Sequence, residues 1–251
     1  MLMSGHSKWH SIKHKKGAAD AKRGKLFTSL IKEITIAARI GGGDAEGNPR
    51  LRTAISTAKA ANMPAENIKR AIQKGTGELP GLSYEDATYE GYGPNGIAVL
   101  IEAVTDNKNR TVSEIRHLFA KNGGNLGQSG CVSHLFQKKG LILVNKSTTD
   151  EDNLMTIALE AGAEDLKDSD EAFEVYTAPQ DYDDVLEAIK KKEIPITFSD
   201  LSMLPQTTLK IEGKSVQQVL RLMESLEDHD DVQKVFSNFD IDETEMEKAV
   251  S

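Results

Sequence analysis

Residues 87–124 read ATYEGYGPNGIAVLIEAVTDNKNRTVSEIRHLFAKNGG, and the fold class turns on how the periodicity changes along them. Ala87–Tyr92 and Ile97–Thr105 are strand-like runs, and the turn formers Gly93-Pro94-Asn95-Gly96 between them predict a hairpin. A dense polar stretch, Thr105 to Thr111, follows. Beyond it the period is helical: Val112, Ile115, Leu118 and Phe119 share a face, Asn109 or Thr111 can cap, and Asn122-Gly123-Gly124 stops the helix.

Downstream, strands and short helices go on mixing. Cys131–Phe136 and Leu141–Val144 are expected as strands about a Lys138-Lys139-Gly140 turn. A helix at 150–161, a strand at 172–177 and a helix at 180–192 follow, then strands at 195–201 and 206–211, a helix at 215–227 and a strand at 232–239. Several adjacent strands interleaved with helices of this length predict two small α+β lobes rather than one doubly wound sheet.

Upstream, the turn-rich TGELPGLS (76–83) reads as a linker, and before it the pattern is purely helical. Leu26, Phe27, Leu30, Ile31, Ile34, Ala37 and Ala38 form one apolar face that ends at Gly41-Gly42-Gly43. Asn48 as N-cap with Pro49 at the first helical position starts a second helix, carrying Leu51, Ile55 and Ala58 inward and Arg50, Arg52 and Lys59 outward. Asn62-Met63-Pro64 starts a third, with Ile68, Ala71 and Ile72 inward and Gly75 at its end. Three short helices predict a bundle.

Before the bundle lies SGHSKWHSIKHKKGAADAKRGK (4–25), with too few apolar residues to build a core. It is read as an arm. The net charge of the chain is −8, but residues 1–79 carry 15 Lys/Arg against 6 Asp/Glu, a balance of +9, which leaves −17 for residues 80–251. Charge is screened over about 8 Å at physiological salt, so a phosphate near the basic part senses mainly that part. The arm is therefore the candidate nucleic-acid site, with Lys8, Lys13, Lys15, Lys16, Lys22, Arg23 and Lys25 meeting phosphates, and Trp9, His10 and His14 stacking on bases or lying along sugars. The bland alternative is a solvated charged tail.

Other features are read more plainly. His6, His10 and His14, spaced by four, would align on a helix, but nearby cations oppose a divalent ion, so no metal is expected. NGGNLG (122–127) lacks the ending and context of a phosphate loop and is read as a helix stop. The loop 105–111 is either a ligand-contacting loop or a local ion pair of Asp106 with Arg110 and a Thr111 cap. Cys131, the single cysteine, is read as a packed thiol, and it excludes an intramolecular disulfide, which suggests the cytosol. His117 and His134 are read as structural. No apolar run is long enough to span a bilayer, no export signal is evident, and no triad or nucleotide fingerprint supports catalysis or a cofactor.

Taken together, GHSKWHSIKHKKGAADAKRGKLF (5–27), NPRLRTAISTAKAANMP (48–64), YEGYGPNGIAVLIEAVTDNKNRT (89–111) and NGGNLGQSGCVSHLF (122–136) strongly resemble the YebC/PmpR family of probable transcriptional regulators. The resemblance implies an N-terminal helical bundle over 1–79 and two lobes of ferredoxin-like character: a middle domain from 82–133 with 205–240, and an inserted domain at 134–204. It also implies a cytoplasmic, non-enzymatic protein. Bacterial members are regarded as DNA-binding regulators, while mitochondrial relatives look like translational activators and some bacterial members act at the ribosome on difficult proline-containing stretches. DNA is thus the expected partner, ribosomal RNA the alternative, with no membrane or small-molecule partner and a monomeric chain.

Overall fold

The structure is a computed structural model that describes residues 19–169, 172–242, 245, 246 and 249, with side chains from residue 24 onward. It divides into two compact units, one comprising residues 19–133 with 211–237, 241, 242, 245, 246 and 249, the other residues 134–210 with 238–240.

The first unit opens with helices α1 (Ala19–Gly41), α2 (Pro49–Ala60) and α3 (Ala65–Gly75). Leu30, Ile34, Ala37 and Ala38 of α1 close over Leu51, Ala54, Ala58, Met63, Ile68 and Ala71, an aliphatic core without aromatic rings among its buried members. Asn48 serves both neighbouring helices: its Oδ1 accepts the Leu51 amide while its Nδ2 donates to the carbonyls of Ala37 and Gly42, 2.8 and 2.9 Å away. One side chain therefore caps the start of α2 and the end of α1. The third helix begins otherwise than expected, since Asn62 is left-handed at φ 57° and Pro64, which has no side-chain donor or acceptor, takes the cap position.

The same unit continues with β1 (Glu85–Tyr92), β2 (Ala98–Thr105), α4 (Lys108–Lys121) and β3 (Asn125–Leu126). The predicted hairpin is present, with Gly91 opposite Val99 and Glu85 opposite Thr105. The cap of α4 is Asn107, whose Oδ1 accepts the Arg110 amide, instead of Asn109 or Thr111.

The second unit contains β4 (Phe136–Asn145), α5 (Glu151–Glu160), β5 (Ala163–Asp168), β6 (Ala172–Thr177), α6 (Tyr182–Lys191), β7 (Ile196–Pro205) and the short β8 (Leu209–Lys210). Its antiparallel sheet runs β5-β6-β4-β7, so the βαββαβ chain makes two split crossovers, the ferredoxin-like arrangement. Ile142, Val144, Phe173 and Val175 face Leu154, Ala158, Val185 and Ile189 of the two helices.

Several expected boundaries shift here. Residues 138–140 make no turn: β4 is continuous, and Gly140 is small because a Cβ there would collide with Thr177 and Tyr182. Residues 131–135 are bend and 3₁₀ backbone, with the strand starting at Phe136. The strands expected at 195–201 and 206–211 are one long β7 followed by the two-residue β8. The missed strand β5, AEDLKD, is an edge strand whose polar composition suits an exposed border and hides it from a hydrophobic pattern.

The chain returns to the first unit with α7 (Lys214–Glu227) and β9 (Val232–Ser237), which completes the antiparallel order β3-β1-β2-β9. The last expected strand ends early, and β10 (Phe239–Asp240) pairs in parallel with β8.

Candidate nucleic-acid interface

Of the expected phosphate and base contacts, Lys8, Trp9, His10, Lys13, His14, Lys15 and Lys16 lie outside the described residues, as does His6. Lys22 and Arg23 fall in the first turns of α1, and their side chains are not described. Lys25 is described and half-buried: its ammonium donates to the Glu227 carbonyl at the end of α7 and lies 3.9 Å from the Asp228 carboxylate.

Lys25 belongs to a second face of α1 that the apolar pattern conceals. Residues 25, 29, 32 and 36 recur at helical spacing opposite the bundle core. Ser29 donates to the Gln233 side chain on β9, Lys32 reaches the α7–β9 turn, and Ile36 is 1% exposed. One helix thus serves the bundle core with its apolar stripe and the α7–β9 region with its mixed stripe.

The centre of this junction is Asp231. Lys32 Nζ donates to its Oδ1 at 2.7 Å and to the Asp230 carbonyl at 2.9 Å. Oδ2 accepts Arg110 Nη2 and Thr111 Oγ1 at 2.7 Å each, and Thr105 Oγ1 at 3.1 Å. Burial by itself would raise the pKa of this carboxyl, but the bonds from Lys32, Arg110 and Thr111 outweigh it and hold the group well below the ordinary carboxylate range. Arg110 also pairs with Asp106 at 2.9 Å. Of the second reading of loop 105–111, the Asp106–Arg110 pair is present, whereas the cap is Asn107 and not Thr111, and residues 106–110 remain exposed.

A groove of about 1030 Å³ opens beside this network, lined on its polar side by Lys32, Arg110 and five carboxylates, those of Asp106, Glu114, Asp228, Asp230 and Asp231. Such a lining is unsuited to phosphate. Glu114, His229 and Asp231 bring three ligand-type atoms within 4.8 Å of one another. Their donors are already engaged: His229 Nδ1 accepts the Asp231 amide, its Nε2 meets Glu114 at 2.9 Å, and two cations hold Asp231. A divalent ion would have to displace them. His117 lies on the groove wall and is exposed, as is His134.

The glycine-rich 122–133 segment is positioned by a buried carboxylate. Glu90 accepts the amides of Gly130, Val132 and Ser133, each at 2.8 Å. Desolvation pushes its pKa up and these three bonds push it down, with a net depression. Tyr92 donates its hydroxyl to the Cys131 carbonyl, and Gly127 lies so close to the thiol that a Cβ would come within 2.5 Å of Sγ. Desolvation, then the Glu90 charge, raises the Cys131 pKa, which suits a packed thiol over a nucleophile. The helix stop read in 122–127 is present, with Gly123 left-handed after α4.

What the described surface offers polyanions is the outer side of the bundle. Arg50 is taken by Glu33 and Asp86, but Arg52, Lys59, Lys69, Arg70 and Lys74 are exposed on α2 and α3.

Comparison with known proteins gives one consistent picture. Residues 7–78 match the model of the TACO1/YebC protein N-terminal domain, and residues 84–239 match that of the TACO1/YebC second and third domain. A probable transcriptional regulatory protein of Acidobacterium capsulatum is 61% identical over 97% of this chain and 98% of its own length. One of Geobacter sulfurreducens is 59% identical over 98% and 99% respectively. A crystal structure of a conserved hypothetical protein of Aquifex aeolicus superposes with a TM-score of 0.82 at 51% identity, covering 92% of this chain and 96% of that one. With both family models matched in order over nearly the whole sequence, the chain belongs to the TACO1/YebC family.

Proposed function

We propose that this chain is a cytoplasmic, non-enzymatic regulatory protein that binds DNA in the control of transcription, gripping the phosphate backbone with its basic N-terminal part. The observation that carries this reading is the charge segregation, +9 over residues 1–79 against −17 over the rest, in a chain whose close relatives are named probable transcriptional regulatory proteins. Lysine and arginine gathered in this way release condensed counterions from a polyanion, which gives affinity without sequence information. Lys8, Lys13, Lys15, Lys16, Lys22 and Arg23 supply the charge in this reading, and Trp9, His10 and His14 lie among them. Among the described residues no helix is long and apolar enough to cross a membrane.

A second reading is favoured by one feature of the arm. Tryptophan and histidine interleaved with lysine suit the unstacked bases of folded RNA, and this supports a ribosome-bound factor that assists elongation. Crosslinking in cells followed by sequencing of both DNA and RNA separates the two. Enrichment of promoter DNA is expected, whereas recovery of large-subunit ribosomal RNA without promoter DNA would replace the first reading by the second.

A further inference from the structure

The ion pairs of the described residues are unevenly distributed. Lys32, Arg50, Lys108, Arg110, Lys139 and Lys146 each lie against a carboxylate. Residues 48–75, which span α2 and α3, hold six cations and a single acid, Glu66. Five of those cations, Arg52, Lys59, Lys69, Arg70 and Lys74, are exposed and have no carboxylate of the described residues within the 4.0 Å of an ion pair. Arg52 reaches only the carbonyls of Ala45 and Glu46, at 3.3 Å.

Helical spacing sorts these cations into stripes. On α2, Arg52 and Lys59 stand seven residues apart on one flank of the face that buries Leu51, Ala54 and Ala58, separated by about 10 Å along the axis. On α3, Lys69 and Arg70 point away from buried Ile68 and Ala71, while Lys74, three residues after Ala71, stands at the edge of that face. Their side chains are fixed to a bundle whose core is closed, so this charge is held in place by folding. The stretch 48–75 also contains no aromatic residue and no histidine, hence no ring platform on which successive unstacked bases could stack.

From this geometry we infer that the exposed side of α2 and α3 is a docking surface for the backbone of duplex DNA, contacted through Arg52, Lys59, Lys69, Arg70 and Lys74 without base reading. The inference rests on the nucleic-acid reading above and adds a folded platform to the arm. Long side chains rooted about 10 Å apart on one helix can each reach a separate phosphate of a duplex strand, where every nucleotide carries one negative charge. The lack of aromatic side chains selects a stacked duplex over a single strand.

The test uses the full chain and a mixed-sequence duplex of about 20 base pairs, with affinity followed by fluorescence anisotropy across a salt series. The variant Lys59→Gln/Lys69→Gln/Arg70→Gln alters exposed positions only and keeps good helix formers, so its unfolding midpoint should match the parent. Its log-log salt slope should be shallower by about 2.7, from 0.9 for each lost phosphate contact. A control, Lys190→Gln/Lys192→Gln, removes two exposed cations elsewhere and should leave the slope unchanged. An unchanged slope in the triple variant, an equal loss in the control, or tighter binding of the parent to a single strand of the same length would each overturn the inference. If the triple variant binds like the parent while Lys13→Ala/Lys15→Ala/Lys16→Ala does not, this surface is refuted and the arm stands. Failure of the parent to bind any nucleic acid refutes both.

Discussion

The ammonium of Lys32 and the carboxylate of Asp231 meet at 2.7 Å across 199 residues of sequence, with both side chains under 10% exposed. A pair this far from water is attractive only while both members are present, because either one left behind is a buried, uncompensated charge. Asp231→Ala should therefore destabilise the protein by about 3 kcal/mol, read from denaturant midpoints. In a cycle with Lys32→Met, the double variant should cost less than the two singles combined. Additive effects would mean that the pair contributes little to joining α1 to the α7–β9 turn.

The same carboxylate sets a pH dependence. Asp231 titrates in the folded protein well below its ordinary value, so between those two limits the unfolded chain binds more protons. Its contribution is complete above the unfolded pKa of about 3.9 and is lost as pH falls toward the folded one. Stability should decline steeply as the pH drops below about 4, and Asp231→Asn should flatten that limb while lowering stability at neutral pH. Equal slopes for parent and variant would assign acid sensitivity to other groups, such as Glu90 or Asp86, whose pKa values are also depressed.

Asn48 offers a cleaner dissection, since its two ends do different work. Asn48→Asp keeps the acceptor for the Leu51 amide but loses the donor to Ala37 and Gly42. Asn48→Ala loses both and should cost about 2 kcal/mol, with the aspartate variant between it and the parent in thermal unfolding. An aspartate variant as stable as the parent would show that the end of α1 needs no side-chain cap.

Glu90→Gln should loosen the 127–133 segment, because an amide offers one oxygen where the carboxylate uses two for three backbone amides. The expected cost is about 2 kcal/mol, together with faster hydrogen exchange at Gly130, Val132 and Ser133. Unaltered exchange at those amides would assign the segment's order to other contacts.

For the arm, five phosphate contacts on duplex DNA correspond to a log-log salt slope near −4.5, and Lys13→Ala/Lys15→Ala/Lys16→Ala should weaken binding to every duplex sequence alike, with unchanged melting. A slope near zero would exclude phosphate gripping.

Periodicity makes the helices and the hairpin legible in the sequence. The stripes of α1, α2 and α3 and the hairpin around Gly93–Gly96 are local patterns that each segment carries within itself. Edge strand β5 was illegible for the converse reason: it needs little apolar surface, being paired on one side only. Gly140 misled because glycine marks a turn or a close approach equally well, and only the neighbours Thr177 and Tyr182 decide between them.

The linear sequence by itself determined the charge asymmetry, the α+β class and the family, since all three are properties of residue order. Which cations lack a carboxylate partner was decided by tertiary structure alone. Lys25, Lys32, Arg50 and Arg110 read in sequence like any surface lysine or arginine, and folding brings carboxylates and carbonyls to them from distant segments. Arg52, Lys59, Lys69, Arg70 and Lys74 are exposed and meet no carboxylate among the described residues, Arg52 reaching only the carbonyls of Ala45 and Glu46.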